Sequence, residues 1–237
     1  MSSRAGRKQA ARIVREQIAR ERRRKRTLWT SLVAVAALVI AGMIGWAVYA
    51  SQRSGAYNTP RGAAEEASGI AVGKGPVLVD VYEDFLCPVC RRFETSAGPT
   101  VDQLIAAGKV RVVYHPVAYL DRYSTTAYST RSSAASGCAA DGGKFHEYAK
   151  ALYERQPPEG SAGLTDEQLI DVGTSVGLNA GSFGSCVRDG TYKTWTGHVT
   201  EAASKRGVNG TPTVFVAGAP VDATAEAITA AVQKAGG

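Results

Sequence analysis

Phe85-Leu86-Cys87-Pro88-Val89-Cys90-Arg91-Arg92-Phe93 decides how the rest of this chain is read. It follows Val77-Leu78-Val79-Asp80-Val81-Tyr82, a nearly continuous β-branched run of the kind that fills a strand buried on both faces. A helical pattern opens at about Pro88, so Cys87 falls at or beside the N-cap, with Pro88 at a favourable first helical position. Unpaired N–H groups and the positive end of the helix dipole stabilise a thiolate at that place, and the thiolate is the reactive form. Cys90 lies one turn inward on the same face, placed to resolve a mixed disulfide. The competing readings are a structural disulfide or a metal pair. Metal fits poorly, because a structural zinc site takes four ligands and only His115, His146 and His198 are scattered elsewhere, with no second CxxC.

Outward from this stretch, Phe93, Ala97, Val101, Leu104 and Ile105 recur at helical spacing, interrupted by Gly98-Pro99 and closed by Gly108. Val110 to Val117 then reads as a second strand, completing a βαβ unit with a right-handed crossover. Thr213 to Val216 is a third short strand, and Ala225, Ile228 and Val232 mark a last amphipathic helix. Between these halves, at about 120–207, the sequence is rich in Ala, Ser and Gly with helical punctuation. Thr165-Asp166-Glu167-Gln168 has the capping-box pattern, and Phe145, Tyr148, Ala149, Leu152 and Tyr153 share a helical face. Strand-rich ends around a helical middle predict one α/β domain over 69–237 with a helical insertion.

Far downstream of the cysteine pair stands Gly207-Val208-Asn209-Gly210-Thr211-Pro212-Thr213-Val214-Phe215-Val216. Together the two stretches resemble the thioredoxin-fold, DsbA-like family of extracytoplasmic thiol-disulfide oxidoreductases, and the resemblance covers about residues 69–237. It implies a thioredoxin-like fold whose core is split by the helical insertion, with Cys87 and Cys90 as the redox pair. It also implies a cis Thr211-Pro212 bond lying against that pair, where it supports substrate backbone. An ordinary trans proline opening the strand is the alternative for Pro212. The dipeptide between the cysteines is Pro-Val, lacking the histidine of strongly oxidising members and the Gly-Pro of thioredoxins, and this leaves the redox poise open. The acid often found six positions before the first cysteine is replaced by Val81. Glu83 or Asp84 is then the nearby group to relay the proton of Cys90, against the alternative that both are solvated at the strand end, the preferred reading for Asp84. Arg91 either favours the Cys87 thiolate electrostatically or is a plain surface arginine.

Cys138 and Cys186 are 48 residues apart in the helical middle and read as one structural bridge rather than two free buried thiols, a pairing that actinobacterial-type relatives also imply. No small-molecule cofactor is implied. The expected substrates are thiols of exported proteins, and the family implies a reoxidising membrane partner of the DsbB or vitamin K epoxide reductase type. The rival readings are a reductase or isomerase using the same residues, for instance in cytochrome maturation, and a tethered copper- or peptide-binding module with Cys87 and Cys90 as soft ligands.

The charge distribution fixes where this domain is expected to work. The chain has 237 residues with 28 Lys+Arg against 21 Asp+Glu, a balance that invites nucleic acid. Eleven of those bases and only Glu16 and Glu21 lie in residues 1–26, so everything from Thr27 onward is slightly acidic. A folded part without excess positive charge has nothing to build a phosphate-binding patch from, and nucleic acid is excluded as a partner. After the basic tail (1–27), residues 28–50 contain no Asp, Glu, Lys, Arg or His. As a helix they reach about 34 Å, enough to cross a hydrocarbon core. Trp29 stands at one end and Trp46 and Tyr49 at the other. Arg22, Arg23, Arg24, Lys25 and Arg26 abut the first end, and the positive-inside rule puts that end in the cytoplasm and the domain outside. A cleaved signal peptide ending at Ala50 is the alternative, with export in either case. Residues 51–68 hold Tyr57 as their one large apolar residue and are expected to be a flexible linker.

Overall fold

The computed structural model describes residues 29, 35, 38–46 and 57–236. The expected basic tail and most of the expected membrane span lie outside the described residues. Residues 38–46 are helical, and among the described residues no helix is long and apolar enough to cross a membrane. The chain divides into a unit of residues 1–56 and one of residues 57–237, and the second carries all four cysteines.

The centre of this second unit is the β-branched run read above, strand β2 (Val77–Glu83), in which every residue but Leu78 is buried. The parallel partner is β3 (Val110–Pro116), in register from Val77 opposite Val110 to Glu83 opposite Pro116. The antiparallel partner on the other side is β4 (Thr213–Val216). Two short edge strands complete the sheet, β1 (Ile70–Gly73) on β3 and β5 (Ala219–Val221) on β4, in the order β1-β3-β2-β4-β5. Sequence reading finds the three inner strands and misses both edges. The crossover from β2 to β3 runs through α1 (Pro88–Ser96) and α2 (Gly98–Ala106), split where Gly98-Pro99 interrupts the pattern. The last helix, α8 (Ala225–Gly236), packs against α2, β2 and β4 and buries Ile228 and Val232. This is the α/β thioredoxin-like fold.

Five helices fill the insertion: α3 (Tyr128–Asp141), α4 (Phe145–Glu154), α5 (Asp166–Ser175), α6 (Ala180–Asp189) and α7 (Lys193–Lys205). The capping box is present as read, with Thr165 Oγ1 accepting from Gln168 N and Gln168 Oε1 from Thr165 N. Helix α3 is a buried helix built from serine and alanine. Ser129, Ser132, Ser133 and Ser136 are all fully buried, and each hydroxyl donates to an oxygen: Asp84 Oδ1, the Tyr128 and Pro116 carbonyls, and the Ser133 carbonyl. Small side chains let neighbouring elements approach closely, and the hydrogen bonds offset the desolvation of the hydroxyls.

The expected linker over 51–68 ends earlier than its composition suggests. From Tyr57 the chain lies on the domain as a strap. The Tyr57 ring stacks on His198 at 4.1 Å, and Trp195, wholly buried, donates its indole N–H to the Ala67 carbonyl at 2.7 Å. His115 reaches the Ser68 carbonyl at 2.6 Å, and Gly69 passes so close to β3 that a Cβ there would overlap the Tyr114 carbonyl oxygen. Apart from Tyr57 the strap has small or polar side chains, and the rings that hold it, Trp195, His198 and His115, belong to α7 and β3.

Cys138 of α3 and Cys186 of α6 are bonded, with S–S 2.01 Å and Cα–Cα 5.9 Å. Closing a loop of this length removes about 4 kcal/mol of chain entropy from the unfolded state in the simplest model. The double variant Cys138→Ser/Cys186→Ser is expected to lose a few kcal/mol in denaturant unfolding while the chemistry of Cys87 persists. A folded double variant without any thiol exchange would contradict this.

Candidate active site around Cys87 and Cys90

The end of β2, the turn 84–87 and the first turn of α1 place the two cysteines. Cys87 is the N-cap of α1 with extended backbone (φ −74°, ψ 116°), and Pro88 opens the helix. Both thiols are free, and both are largely covered, Cys87 at 5% and Cys90 at 1% exposure. Pro88 and Val89 between them are exposed, so the dipeptide is the part of the motif that meets solvent. The Thr211-Pro212 peptide bond is cis, and Cys87 Sγ donates to the Thr211 carbonyl oxygen at 3.4 Å. Two stretches 124 residues apart thus meet at one sulfur.

The environment treats the two sulfurs in opposite ways. The Cys87 thiol is pulled down to about 6, chiefly by a hydrogen bond from the Cys90 thiol, then by the side chain of Thr211 and the N–H groups of Cys90 and Val89, with burial working against them. Burial pushes the Cys90 thiol well up, and its hydrogen bond to Cys87 pushes in the same direction. The helix N-terminus supplies N–H groups as the sequence suggests. Arg91 is exposed, and the largest effects on Cys87 come from these nearer groups.

Neither acid before the cysteines is solvated, which corrects the reading of Asp84. Glu83 is 3% exposed and Asp84 0%. Asp84 Oδ1 accepts from Leu86 N at 2.9 Å and Ser129 Oγ at 2.7 Å, and Oδ2 from Leu120 N at 3.0 Å. Burial still raises its pKa to about 6, the three donors opposing. Glu83 has a single partner, the Tyr153 hydroxyl on Oε2 at 3.1 Å, and its Oε1 has no hydrogen-bond partner among the described residues. Burial first, and the nearby Glu94 carboxylate second, push Glu83 up to about 8, so it is a neutral acid at pH 7. Val81, where relatives often carry the acid, is fully buried apolar core. Tyr153 also binds the Asp84 carbonyl, and Gln156 donates to the Phe85 and Cys87 carbonyls at 2.9 and 3.0 Å. Sequence reading places Tyr153 on a helical face and passes over Gln156; nothing local marks either as part of the site. Among the described residues no cluster of three or more His, Cys, Asp or Glu is arranged to hold a metal ion.

An acidic thiol at a helix N-terminus, a second thiol buried one turn on and a cis-proline loop across from them define a thioredoxin-fold dithiol-disulfide centre. The family profile described as Thioredoxin matches residues 67–234. Reduced DsbA from Mycobacterium tuberculosis is 32% identical, covering 65% of this chain and 84% of that one with TM-score 0.58. The disulfide bond oxidoreductase DsbG of the same organism is 32% identical over 69% of this chain and 82% of its own, with TM-score 0.60. MdbA from Actinomyces oris shares the fold at 21% identity and TM-score 0.63, over 77% and 94%. The chain belongs to the thioredoxin family, and within it to the DsbA-like thiol-disulfide oxidoreductases. The serine/threonine-protein kinase PknE of Mycobacterium tuberculosis is 31% identical over 160 residues, 62% of this chain; the chain spans 28% of the length of these curated relatives.

The pH behaviour follows from these shifts. Alkylation of reduced Cys87 by iodoacetamide is expected to rise through about pH 6 and level off well below the ordinary thiol value of 9.0. A midpoint near 9 would contradict the geometry. Glu83 holds its proton to about pH 8 in the folded protein against 4.5 ordinarily. Its contribution is fully present below about pH 4.5 and is lost as pH rises through 8. Glu83→Gln, which cannot ionise, should therefore gain stability relative to the parent between pH 4 and pH 9 in urea unfolding, by roughly 1 kcal/mol or more.

Proposed function

We propose that this is a membrane-anchored, extracytoplasmic oxidase that introduces disulfides into exported proteins. The observation that carries the chemistry is the asymmetry of the two thiols, one acidic and set against the Thr211 carbonyl, the other buried with a raised pKa. In the oxidised enzyme a substrate thiolate attacks Cys87 Sγ, the Cys87–Cys90 bond breaks, and Cys90 leaves as a thiolate that takes a proton. Glu83, protonated at neutral pH and beside this motif, supplies it. The second substrate thiol then attacks the mixed disulfide, and Cys87 departs as the thiolate that its surroundings stabilise. Two electrons pass to the enzyme; of the two substrate thiol protons, one restores Glu83 after it has protonated Cys90 and the other goes to solvent, leaving Cys87 as the thiolate. In reverse, Cys90 resolves a mixed disulfide on Cys87. Thr211 and Pro212 support the substrate backbone beside the reacting sulfur. The reduced enzyme needs a membrane electron acceptor, of the DsbB or vitamin K epoxide reductase type that the family resemblance implies.

The location rests on sequence. The uncharged run over 28–50 and the arginines before it support an N-in anchor with the domain outside. Protease added to cells with a permeable outer layer is expected to digest the domain and spare the first 27 residues, whereas a soluble protein beginning at Ser51 would replace the anchor with a cleaved leader. Removing the resolving thiol leaves a mixed disulfide without an intramolecular exit. Cys90→Ser should accumulate disulfide adducts with exported proteins, visible on non-reducing gels, and Cys87→Ser should not. Equal trapping by both variants would contradict the assigned roles.

A further inference from the structure

Gln156 follows the C-terminal end of α4, 69 residues from the nucleophile in sequence, yet both hydrogens of its carboxamide are spent on the turn that carries it. Nε2 donates to Phe85 O at 2.9 Å and to Cys87 O at 3.0 Å. Two carbonyl acceptors also settle which end of the amide faces the turn, since only the NH2 can donate. Three other contacts of the turn come from other sides. Cys87 N donates to Asp84 O, Leu86 N to Asp84 Oδ1, and the Tyr153 hydroxyl to Asp84 O. Among the described residues, Gln156 is the one side chain that fixes the carbonyls on either side of Leu86.

The Cys87 carbonyl matters to the chemistry because of where it lies. It belongs to the peptide plane joining the N-cap to Pro88, and it already accepts Arg91 N of the first helical turn at 3.2 Å. Rotation about ψ of Cys87 swings that plane, and with it the helix, relative to the Cβ–Sγ bond. A proline at the next position has no N–H to restrain the plane itself. A second donor on the same carbonyl from a different element therefore holds the angle between the sulfur and the N–H groups of Val89 and Cys90.

We propose that Gln156 is a positioning residue for the thiol-disulfide reaction, fixing the Cys87 peptide plane so that Sγ stays in register with the first-turn N–H groups of Val89 and Cys90. The proposal rests on the function argued above and adds a residue of the helical insertion to it. Loss of the clamp costs the thiolate part of its stabilisation, which makes the disulfide a weaker oxidant as well as a slower one.

The test uses the full chain with Gln156→Leu, which keeps size and removes both donors, and Gln156→Glu, which puts acceptors against two carbonyls. For each variant the alkylation midpoint of Cys87, the equilibrium with a glutathione buffer and the exchange rate with a dithiol peptide are measured beside thermal unfolding. Gln156→Leu is expected to lower the unfolding temperature, since the Phe85 and Cys87 carbonyls lose a donor, and also to raise the alkylation midpoint and lower the equilibrium constant for oxidising the peptide about threefold to tenfold, the worth of one net hydrogen bond, which a loss of stability alone does not produce. Gln156→Glu should go further in the same direction. Should Gln156→Leu fail to fold, the midpoint and equilibrium of Gln156→Glu decide alone. Variants that fold and share the parent's midpoint and equilibrium overturn the proposal, while a parent that exchanges no disulfide overturns the function itself.

Discussion

Three chain segments that must meet under the reactive cysteine are held there by one buried carboxylate. Asp84 receives the backbone N–H of Leu86 from the turn before α1, that of Leu120 from the loop after β3, and the hydroxyl of Ser129 from the first turn of α3. The first segment belongs to the strand-rich core and the last to the helical insertion, so a polar knot is set into the apolar junction that the ring pairs Phe85 with Tyr153 and Tyr114 with Phe145 form between the two parts of the domain. A buried charge with three donors is tolerable; with any of them missing it is costly. Of the buried serines of α3, Ser129 meets this demand, while Ser132, Ser133 and Ser136 donate to backbone carbonyls.

Around that knot the site is built from groups held against their solution preferences. Glu83 lies buried as a neutral acid with one hydrogen bond, an arrangement that works against folding stability at neutral pH. Cys90 is enclosed as a thiol, and Cys87 is driven toward the thiolate. Such opposed shifts a few residues apart are what acid-base and nucleophilic work requires, and they explain why a strand end that could have been apolar carries two carboxyl groups. Pro88 and Val89 remain outside this shell in solvent.

The sequence made the core of this architecture readable where its signals are local. A β-branched run ending in a cysteine, a proline and a helical repeat defines β2, the N-cap and α1 without outside help. The edge strands escaped because four residues in β1 and three in β5 carry too little periodicity. The strap over 57–68 escaped because its anchors, Trp195 and His198, come from α7, far along the chain. For the acids, composition near a strand end favours solvation, and only the arrival of Ser129 and Leu120, 45 and 36 residues away, buries Asp84. Gln156 carries no motif at all. Contacts between distant elements were legible only where a motif marked them, as for Cys138 with Cys186 and the Thr211-Pro212 loop with Cys87; the unmarked polar contacts of Asp84 and Gln156 were not.

A site that stabilises the Cys87 thiolate stabilises the reduced protein, and so makes the Cys87–Cys90 disulfide an oxidant. The reduction potential of that pair in the isolated protein, titrated against glutathione, reads this stabilisation without any intervening step. It is expected above that of thioredoxin, about −270 mV, and below the strong-oxidant limit of about −120 mV, since the dipeptide lacks histidine. A potential at or below about −270 mV would contradict the oxidase and make the protein a reductase.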